Sequence, residues 1–104
     1  MDIVSYKLRY TQDFVDDLRR IVDYISITLS NPDAAQRLAD DVRAAILQRL
    51  AMPTAFEPYR SRIELDSIYY QLRVRNYTVF YVVSDEVMEV RRILYTRRNW
   101  KAML

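Results

Sequence analysis

Three β-rich runs with very short connections occupy the second half of the chain, and they restrict the possible folds more than any other feature. The runs span residues 68–75, 77–84 and 87–95, and the connections are Asn76 and residues 84–86. A parallel crossover needs about a dozen residues or more, so strands this close in sequence can pair only in the antiparallel sense. The sequence therefore predicts a three-stranded antiparallel meander.

The first half of the chain contains a short strand and two amphipathic helices. Residues 3–10 are β-rich, and Thr11 can cap the helix that follows them. The apolar positions of this helix are Phe14, Leu18, Ile21, Ile25 and Leu29. Asn31 and Pro32 suit the N-cap and the first position of a second helix, which Pro53 ends. The apolar positions of the second helix are Ala35, Leu38, Val42, Ile46 and Leu50.

The order of elements is therefore βααβββ, and it predicts an α+β fold with a single domain over residues 1–104. After the N-terminal strand, an antiparallel helical hairpin packs on a mainly antiparallel four-stranded sheet, and a short C-terminal tail follows. In the first late strand, a more polar set of positions alternates with an apolar set. The first set is Tyr69, Gln71, Arg73 and Arg75, and the second is Tyr70, Leu72 and Val74. One face of the sheet is thus expected to be core, and the other to meet water or a partner.

Three residue types that many functional sites require are absent. The chain has no cysteine, histidine or glycine. Disulfides and thiolate metal sites are thereby excluded, as are a Ser-His-Asp triad, a Walker loop and a dinucleotide-binding fingerprint. We expect no cofactor and no metal. No segment approaches the roughly 20 apolar residues of a membrane span, and the N-terminus lacks a signal-peptide pattern, so we expect a soluble, cytoplasmic protein without membrane contact.

Basic residues are concentrated toward the C-terminus. Residues 1–50 carry a net charge of −1 and residues 51–104 one of +3, and 14 of the 16 basic residues are arginine. The acid-free segment 91–101 contains Arg91, Arg92, Arg97, Arg98 and Lys101. Arginine can bind phosphate or carboxylate groups in a bidentate manner, so this segment is the best candidate to contact an anionic or nucleic-acid-bound target. The alternative is that these side chains simply keep the surface solvated.

Several features occur together in the order found in a known family. They are Asn31-Pro32 with Ala34-Ala35 between the helices, Leu50 to Pro53 after the second helix, residues 74–82 (VRNYTVFYV) and residues 90–99 (VRRILYTRRN). Together with the βααβββ order, these features make nearly the whole chain resemble the RelE/ParE superfamily of toxins from bacterial type II toxin–antitoxin modules. The last two segments are similar to the family patterns V-x-N-Y-x-V-F-Y-x-V and V-x-R-I-x-[HY]-x-x-R-D.

The resemblance implies a toxin that arrests growth and is neutralised by a cognate antitoxin. It leaves the target open, because RelE-like members cleave mRNA on the ribosome, whereas ParE-like members inhibit DNA gyrase without hydrolysis. If the chain is an enzyme, the resemblance implies a metal-independent RNA endonuclease. A third alternative is a degenerate, non-toxic member that acts only as an antitoxin-binding module.

The resemblance also implies where a site would lie. The positions of three basic residues in RelE-like sites are occupied here by Tyr69, Gln71 and Thr78. Much of that catalytic set is therefore missing, and binding is better supported than cleavage. The candidate catalytic residues, which could stabilise phosphate charge or protonate a leaving oxygen, are Arg98, Arg73 and Tyr95. The candidate residues for binding the target or phosphate are Arg75, Arg97, Arg91, Lys101, Arg60 and Arg62.

Overall fold

The computed structural model describes residues 5–58, 68–97 and 104 of the chain. Its elements are strand β1 (Lys7–Tyr10), helix α1 (Gln12–Asp23), a π-helical turn (Tyr24–Thr28), helix α2 (Pro32–Arg49) and strands β2 (Tyr70–Val74), β3 (Tyr77–Ser84) and β4 (Val87–Tyr95). This is the predicted βααβββ order of an α+β fold. Within the described residues, neither helix is long and apolar enough to cross a membrane.

The four strands form one sheet in the order β1-β4-β3-β2. β2, β3 and β4 pair antiparallel, which confirms the meander predicted from their short connections. β1 lies parallel to β4, with Lys7 opposite Val87 and Tyr10 opposite Val90. Among the described strands, none pairs with β4 beyond Val90 on the β1 side. The beginning of α1 lies against that part of β4 instead.

Side-chain caps fix the start of each helix. The Thr11 hydroxyl accepts a hydrogen bond from the Phe14 amide at 3.2 Å and donates one to the Arg91 carbonyl at 2.8 Å. It therefore caps α1 and also joins that helix to β4. The Asn31 side chain accepts a hydrogen bond from the Ala34 amide at 3.1 Å. Both caps satisfy amides that the first turn of a helix leaves without partners, and both agree with the sequence prediction.

The hairpin turns of this glycine-free chain place other residues in the left-handed region. Arg75, with a φ of 55°, lies between β2 and β3. Asp85 and Glu86, with φ values of 51° and 64°, connect β3 to β4. Two consecutive positive φ angles are typical of a type I′ hairpin turn, which glycine and asparagine favour. The left-handed conformation costs roughly 1–2 kcal/mol for a residue with a Cβ, so these turns are local sites of strain.

The main hydrophobic core lies between the helices and one face of the sheet. Its members are Phe14, Leu38, Val42, Ile46, Leu72, Val74, Val79, Tyr81, Met88, Val90 and Ile93. The buried Tyr81 hydroxyl donates a hydrogen bond to the Pro53 carbonyl at 2.7 Å and accepts one from Arg49 at 2.9 Å. These bonds satisfy a polar group that would be costly to bury alone, and they hold the end of α2 against the sheet.

The opposite face of the sheet carries a second, smaller apolar cluster. It consists of Tyr69, Phe80, Val82 and Leu94, with Leu104 packed against it. The sequence alternation places Tyr69 on this face, as observed, but the expectation that it meets water or a partner is wrong. The side chain is buried because the residues of β3 on this face are also apolar. Gln71 and Arg73 are exposed on this face, as predicted.

The π-helical turn changes which residues of the first helical segment face the core. A π-turn holds one more residue than an α-turn, so the residues that follow it are rotated by about 100° relative to a continuous α-helix. The periodicity predicts Leu29 in the core, but this prediction is wrong, since Leu29 is 54% exposed. Tyr24 and Ile27 are also exposed, at 53% and 73%. Because about half of the Leu29 side chain stays exposed, the fold lacks roughly 1 kcal/mol of the free energy that its full burial would contribute.

Candidate functional site

Asp17 is a buried carboxylate that joins α1 to β4. It is 4% exposed and accepts hydrogen bonds from Arg92 at 2.7 and 2.9 Å and from the Ile93 amide at 3.2 Å. Arg20 donates a further hydrogen bond at 2.7 Å. The hydrogen bonds to Asp17 raise the pKa of the Arg92 guanidinium above its ordinary value. Two arginines thus share one carboxylate, and Arg92 is held by the fold.

Arg91, which the sequence predicts to bind the target, is also engaged within the protein. Its Nε donates to Glu89 at 2.8 Å, and its Nη1 donates to the Tyr69 hydroxyl at 3.2 Å. Arg9 binds the other carboxylate oxygen of Glu89 at 2.6 Å. The hydrogen bond from Arg91 first, and then that from Arg9, hold the pKa of Glu89 below its ordinary value of 4.5. Any role of Arg91 toward a target therefore competes with these internal contacts.

Arg73 and Tyr95, two of the predicted catalytic residues, project from opposite faces of the sheet. Arg73 alternates with Leu72 and Val74, whose side chains belong to the main core, so it points to the other face. Tyr95 lies on the helix side, where its ring meets that of Tyr77 edge-on at 5.9 Å. The structure therefore does not bring these two side chains into one site.

The other predicted site residues have different surroundings. Arg75 is exposed but pairs with Asp41, with its Nε 2.9 Å from Oδ2. Arg97 is exposed two residues beyond β4. Within the part of the chain that the structure describes, neither Arg97 nor Arg73 takes part in an ion pair. The predicted residues that lie outside the described ranges, and whose roles stay predictions, are Arg98, Lys101, Arg60 and Arg62.

Among the described residues, three positions that correspond to basic residues of RelE-like sites carry uncharged side-chain types. Tyr69 and Thr78 are buried, at 7% and 2% exposure, and Gln71 is exposed but uncharged. The Thr78 hydroxyl lies 3.0 Å from that of Thr96. Among residues 5–58 and 68–97, no group of three or more acidic side chains is placed to hold a metal ion. These three positions therefore supply no cationic side chain that could stabilise a phosphate.

A groove of about 650 Å³ lies between α1 and the end of β4. The residues that line it include Arg20, Tyr24, Leu29, Asn76, Tyr77 and Tyr95. A smaller groove of about 270 Å³ shares Tyr24 and Tyr77 with it and continues to Arg75. Burial raises the pKa of the Tyr77 hydroxyl, and the nearby Tyr95 and Tyr24 add to this effect. The side chains of Tyr24, Tyr77 and Tyr95 therefore lie close together in the larger groove.

Leu29, an exposed apolar side chain of the helical hairpin, lines both grooves together with Tyr24 and Tyr77. We call the combined area the tip surface, which consists of Tyr24, Leu29, Tyr77 and Tyr95. Of these residues, the sequence pattern pointed to Tyr95 alone, because the spacing of the helical residues fits one continuous α-helix with Leu29 in its core stripe. The available signal was that Tyr24 is aromatic but lies outside that stripe.

A second groove, of about 350 Å³, lies between α1 and α2. Its lining is apolar except for Tyr10, Arg19 and Arg43, and it includes no acidic residue. Both arginines are exposed, and neither forms an ion pair within the described residues. This groove therefore combines apolar area with positive charge that has no counter-ion among the described residues.

Comparison with known proteins identifies the family. Residues 8–100 match the family described as the ParE toxin of the type II toxin–antitoxin system parDE. No curated protein sequence matches the chain significantly.

Solved structures with a similar fold come from toxin–antitoxin systems. The chromosomal ParDE system from P. aeruginosa matches with a TM-score of 0.75 and 16% identity, over 89% of this chain and 98% of that chain. The archaeal RelE–RelB complex from Pyrococcus horikoshii OT3 matches with a TM-score of 0.52 and 20% identity, over 91% and 99%. The E. coli DinJ–YafQ complex matches with a TM-score of 0.55 and 8% identity, over 97% and 99%. At these sequence identities, the structural similarity shows only that the fold is shared. The family match shows more, because it covers residues 8–100 of the sequence. The chain therefore belongs to the ParE toxin family of type II toxin–antitoxin systems.

Proposed function

We propose that this toxin arrests growth by binding DNA gyrase in the cytoplasm and that a cognate antitoxin neutralises it. The match of residues 8–100 to the ParE toxin family carries the proposal. ParE-like members of the superfamily inhibit gyrase without hydrolysis, whereas RelE-like members cleave mRNA. The protein is accordingly a binding inhibitor rather than an enzyme.

The chemistry of the described side chains supports binding over cleavage. Attack by an RNA 2′-hydroxyl requires a base, an acid and stabilisation of the phosphate charge around a single bond. Arg73 and Tyr95 project from opposite faces of the sheet, and an arginine with a pKa above about 12 is a poor base. A binding inhibitor needs none of these groups, but it does need an exposed surface that complements its target.

A supercoiling assay with purified toxin and gyrase tests the proposal. We expect relaxed plasmid to remain relaxed as the toxin concentration rises, and supercoiling to return when the cognate antitoxin is added first. Complete supercoiling in excess toxin, from a preparation that still arrests growth in cells, would refute gyrase as the target.

Ribosome-dependent mRNA cleavage is the second candidate function, and two exposed arginines favour it. Arg73 and Arg97 have no ion pair within the described residues, so both could contact phosphate. The measurement is the length of a defined mRNA on translating ribosomes, and intact mRNA at saturating toxin would exclude cleavage. Expressing the chain without antitoxin separates both candidates from a non-toxic antitoxin-binding module, which would leave growth unchanged.

A further inference from the structure

We propose that the tip surface is the part of this toxin that docks its protein target, by accepting an apolar side chain of the target among Tyr24, Tyr77 and Tyr95. The inference rests on the proposed function, because it specifies which surface meets gyrase. It differs from the prediction made from the sequence, which assigned target binding to basic side chains between Arg60 and Lys101.

The exposure of the tip residues is the first argument. Tyr24 and Leu29 are 53% and 54% exposed. Both line the groove of about 650 Å³ together with Tyr77 and Tyr95. Contiguous exposed apolar area of this kind marks interaction sites, and tyrosine is enriched among the residues that contribute most to protein interfaces.

The backbone at the tip is the second argument. The π-helical turn rotates Leu29 away from the core that its sequence spacing predicts. π-turns are uncommon and occur frequently at functional sites. A fold selected for stability alone would gain by burying Leu29, so its exposure beside Tyr24 is best explained by a partner that covers both.

The charge around the groove favours a protein over a nucleic acid. Arg20 and Arg92 share the carboxylate of Asp17, and Arg75 is paired with Asp41. The lining of the groove carries Arg20, Arg92 and Asp17, a net charge of +1, and both arginines contact that carboxylate. Nucleic-acid binding depends on several cations that neutralise phosphates, which is more than this lining supplies. A mainly apolar and aromatic groove with one net charge instead suits an apolar side chain on a protein surface.

The groove between α1 and α2 distinguishes the target from the antitoxin. An antitoxin that carries acidic side chains would gain most from an apolar groove with the larger positive charge. The lining of the α1–α2 groove carries Arg19 and Arg43 and no acidic residue, a net charge of +2, whereas the lining of the groove at the tip surface has a net charge of +1. We therefore assign the tip surface to the target.

The test compares two double variants in the gyrase supercoiling assay. The tip variant is Tyr24→Ala with Leu29→Ala. The control variant is Leu47→Ala with Met52→Ala, which removes side chains of similar exposure (52% and 66%) from another part of the surface. We expect the tip variant to need at least about ten times more toxin for half-inhibition, as for residues that dominate an interface. The control variant should stay within about twofold of wild type. Equal thermal melts for all three proteins would establish that folding is unchanged.

Several outcomes would overturn the inference. Wild-type potency of the tip variant would refute it while leaving gyrase inhibition intact. Failure of the wild-type protein itself to inhibit gyrase would refute the proposed function, and the inference with it. If the tip variant weakened capture by the co-purified antitoxin, or binding to a single-stranded RNA oligonucleotide, without changing gyrase inhibition, the surface would belong to that partner. If the double variant melted early, Leu29→Asp would decide the matter, because this side chain is half exposed and lines the groove, and an unchanged potency would refute docking.

Discussion

Replacing Asp17 with alanine measures how much the contact between α1 and β4 stabilises the protein. The carboxylate is 4% exposed and accepts three hydrogen bonds from Arg92 and the Ile93 amide. Its removal leaves the Arg92 guanidinium, whose side chain is 18% exposed, without this counter-ion. Breaking a buried ion pair from one side costs about 3–5 kcal/mol. The hydrogen bond from the exposed Arg20 to Asp17 contributes little to this loss of stability, since surface ion pairs contribute about 0–1 kcal/mol.

Equilibrium denaturation followed by circular dichroism is the appropriate assay. The expected decrease in the free energy of unfolding of Asp17→Ala is a large part of the roughly 5–15 kcal/mol by which a typical domain is stable. The melting temperature should fall by about 4–8 °C for each kcal/mol lost. Asp23→Ala is the matched control, because it removes an exposed carboxylate from the same helix. It should change the free energy of unfolding by less than about 0.5 kcal/mol.

A double-mutant cycle supplies the refutation. If Asp17 and Arg92 form the pair that holds α1 against β4, the effects of Asp17→Ala and Arg92→Ala should not add, and the coupling energy should reach about 1–3 kcal/mol. Additive effects would contradict this account of the contact. A loss below about 1 kcal/mol for Asp17→Ala alone would contradict it as well.

Four other changes test separate features of the molecule. Glu86→Gly should raise the free energy of unfolding by about 1 kcal/mol in urea titrations, because glycine relieves the strain of a φ of 64°. Tyr81→Phe should lower it by about 1–3 kcal/mol, because the buried hydroxyl bonds a backbone carbonyl and an arginine. Glu89→Gln should destabilise the protein at neutral pH, and its difference from wild type should vanish in acid. The pKa of Glu89 is lowered in the fold, so its stabilisation is complete above about pH 4.5 and is lost as the pH falls through the folded value. Arg97→Ala with Arg98→Ala should reduce growth arrest more than stability, which growth curves and thermal melts of the same variant separate.

Each of these changes has a result that would contradict its reasoning. A destabilising Glu86→Gly would show that the glutamate side chain, rather than backbone strain, matters at that turn. A neutral Tyr81→Phe would mean that its hydroxyl is readily replaced by water. An effect of Glu89→Gln that is the same at neutral and acid pH would exclude the ion pairs as its source. If the double variant at Arg97 and Arg98 unfolds, those arginines are structural.

The local signals in the sequence predicted most of the fold correctly. Thr11 and Asn31 cap their helices because a side-chain oxygen at such a position has an unpaired amide within reach, whatever the rest of the chain does. The meander follows from connection lengths in the same way, since two residues cannot carry a parallel crossover. Helix caps and hairpin connections depend only on residues that are neighbours in sequence. A pattern of a few residues is therefore enough to predict them.

The contacts that position the candidate site depend on distant residues, and the sequence pattern did not reveal them. Asp17 looks like its neighbour Asp16 in a helix with many charges, yet it is buried because Arg92, 75 positions away, meets it there. The burial of Tyr69 depends in the same manner on the second apolar face of β3. The π-helical turn is a third case, because its residues are compatible with an ordinary α-helix.

The internal use of arginine changes how the basic charge of this toxin should be understood. Arg75, Arg91 and Arg92 are committed to Asp41, Glu89 and Asp17. The charge that sequence reasoning assigned to an anionic target is therefore largely compensated within the fold at these three positions. Charge that remains without an internal partner would accelerate encounter with an acidic partner, but it discriminates weakly among such partners. Selective recognition of one target needs complementary shape and apolar contact, and among the described residues the tip surface offers both. A partner recognised in this way should bind with an affinity that depends weakly on salt concentration, whereas binding dominated by the arginines would weaken steeply as salt is added.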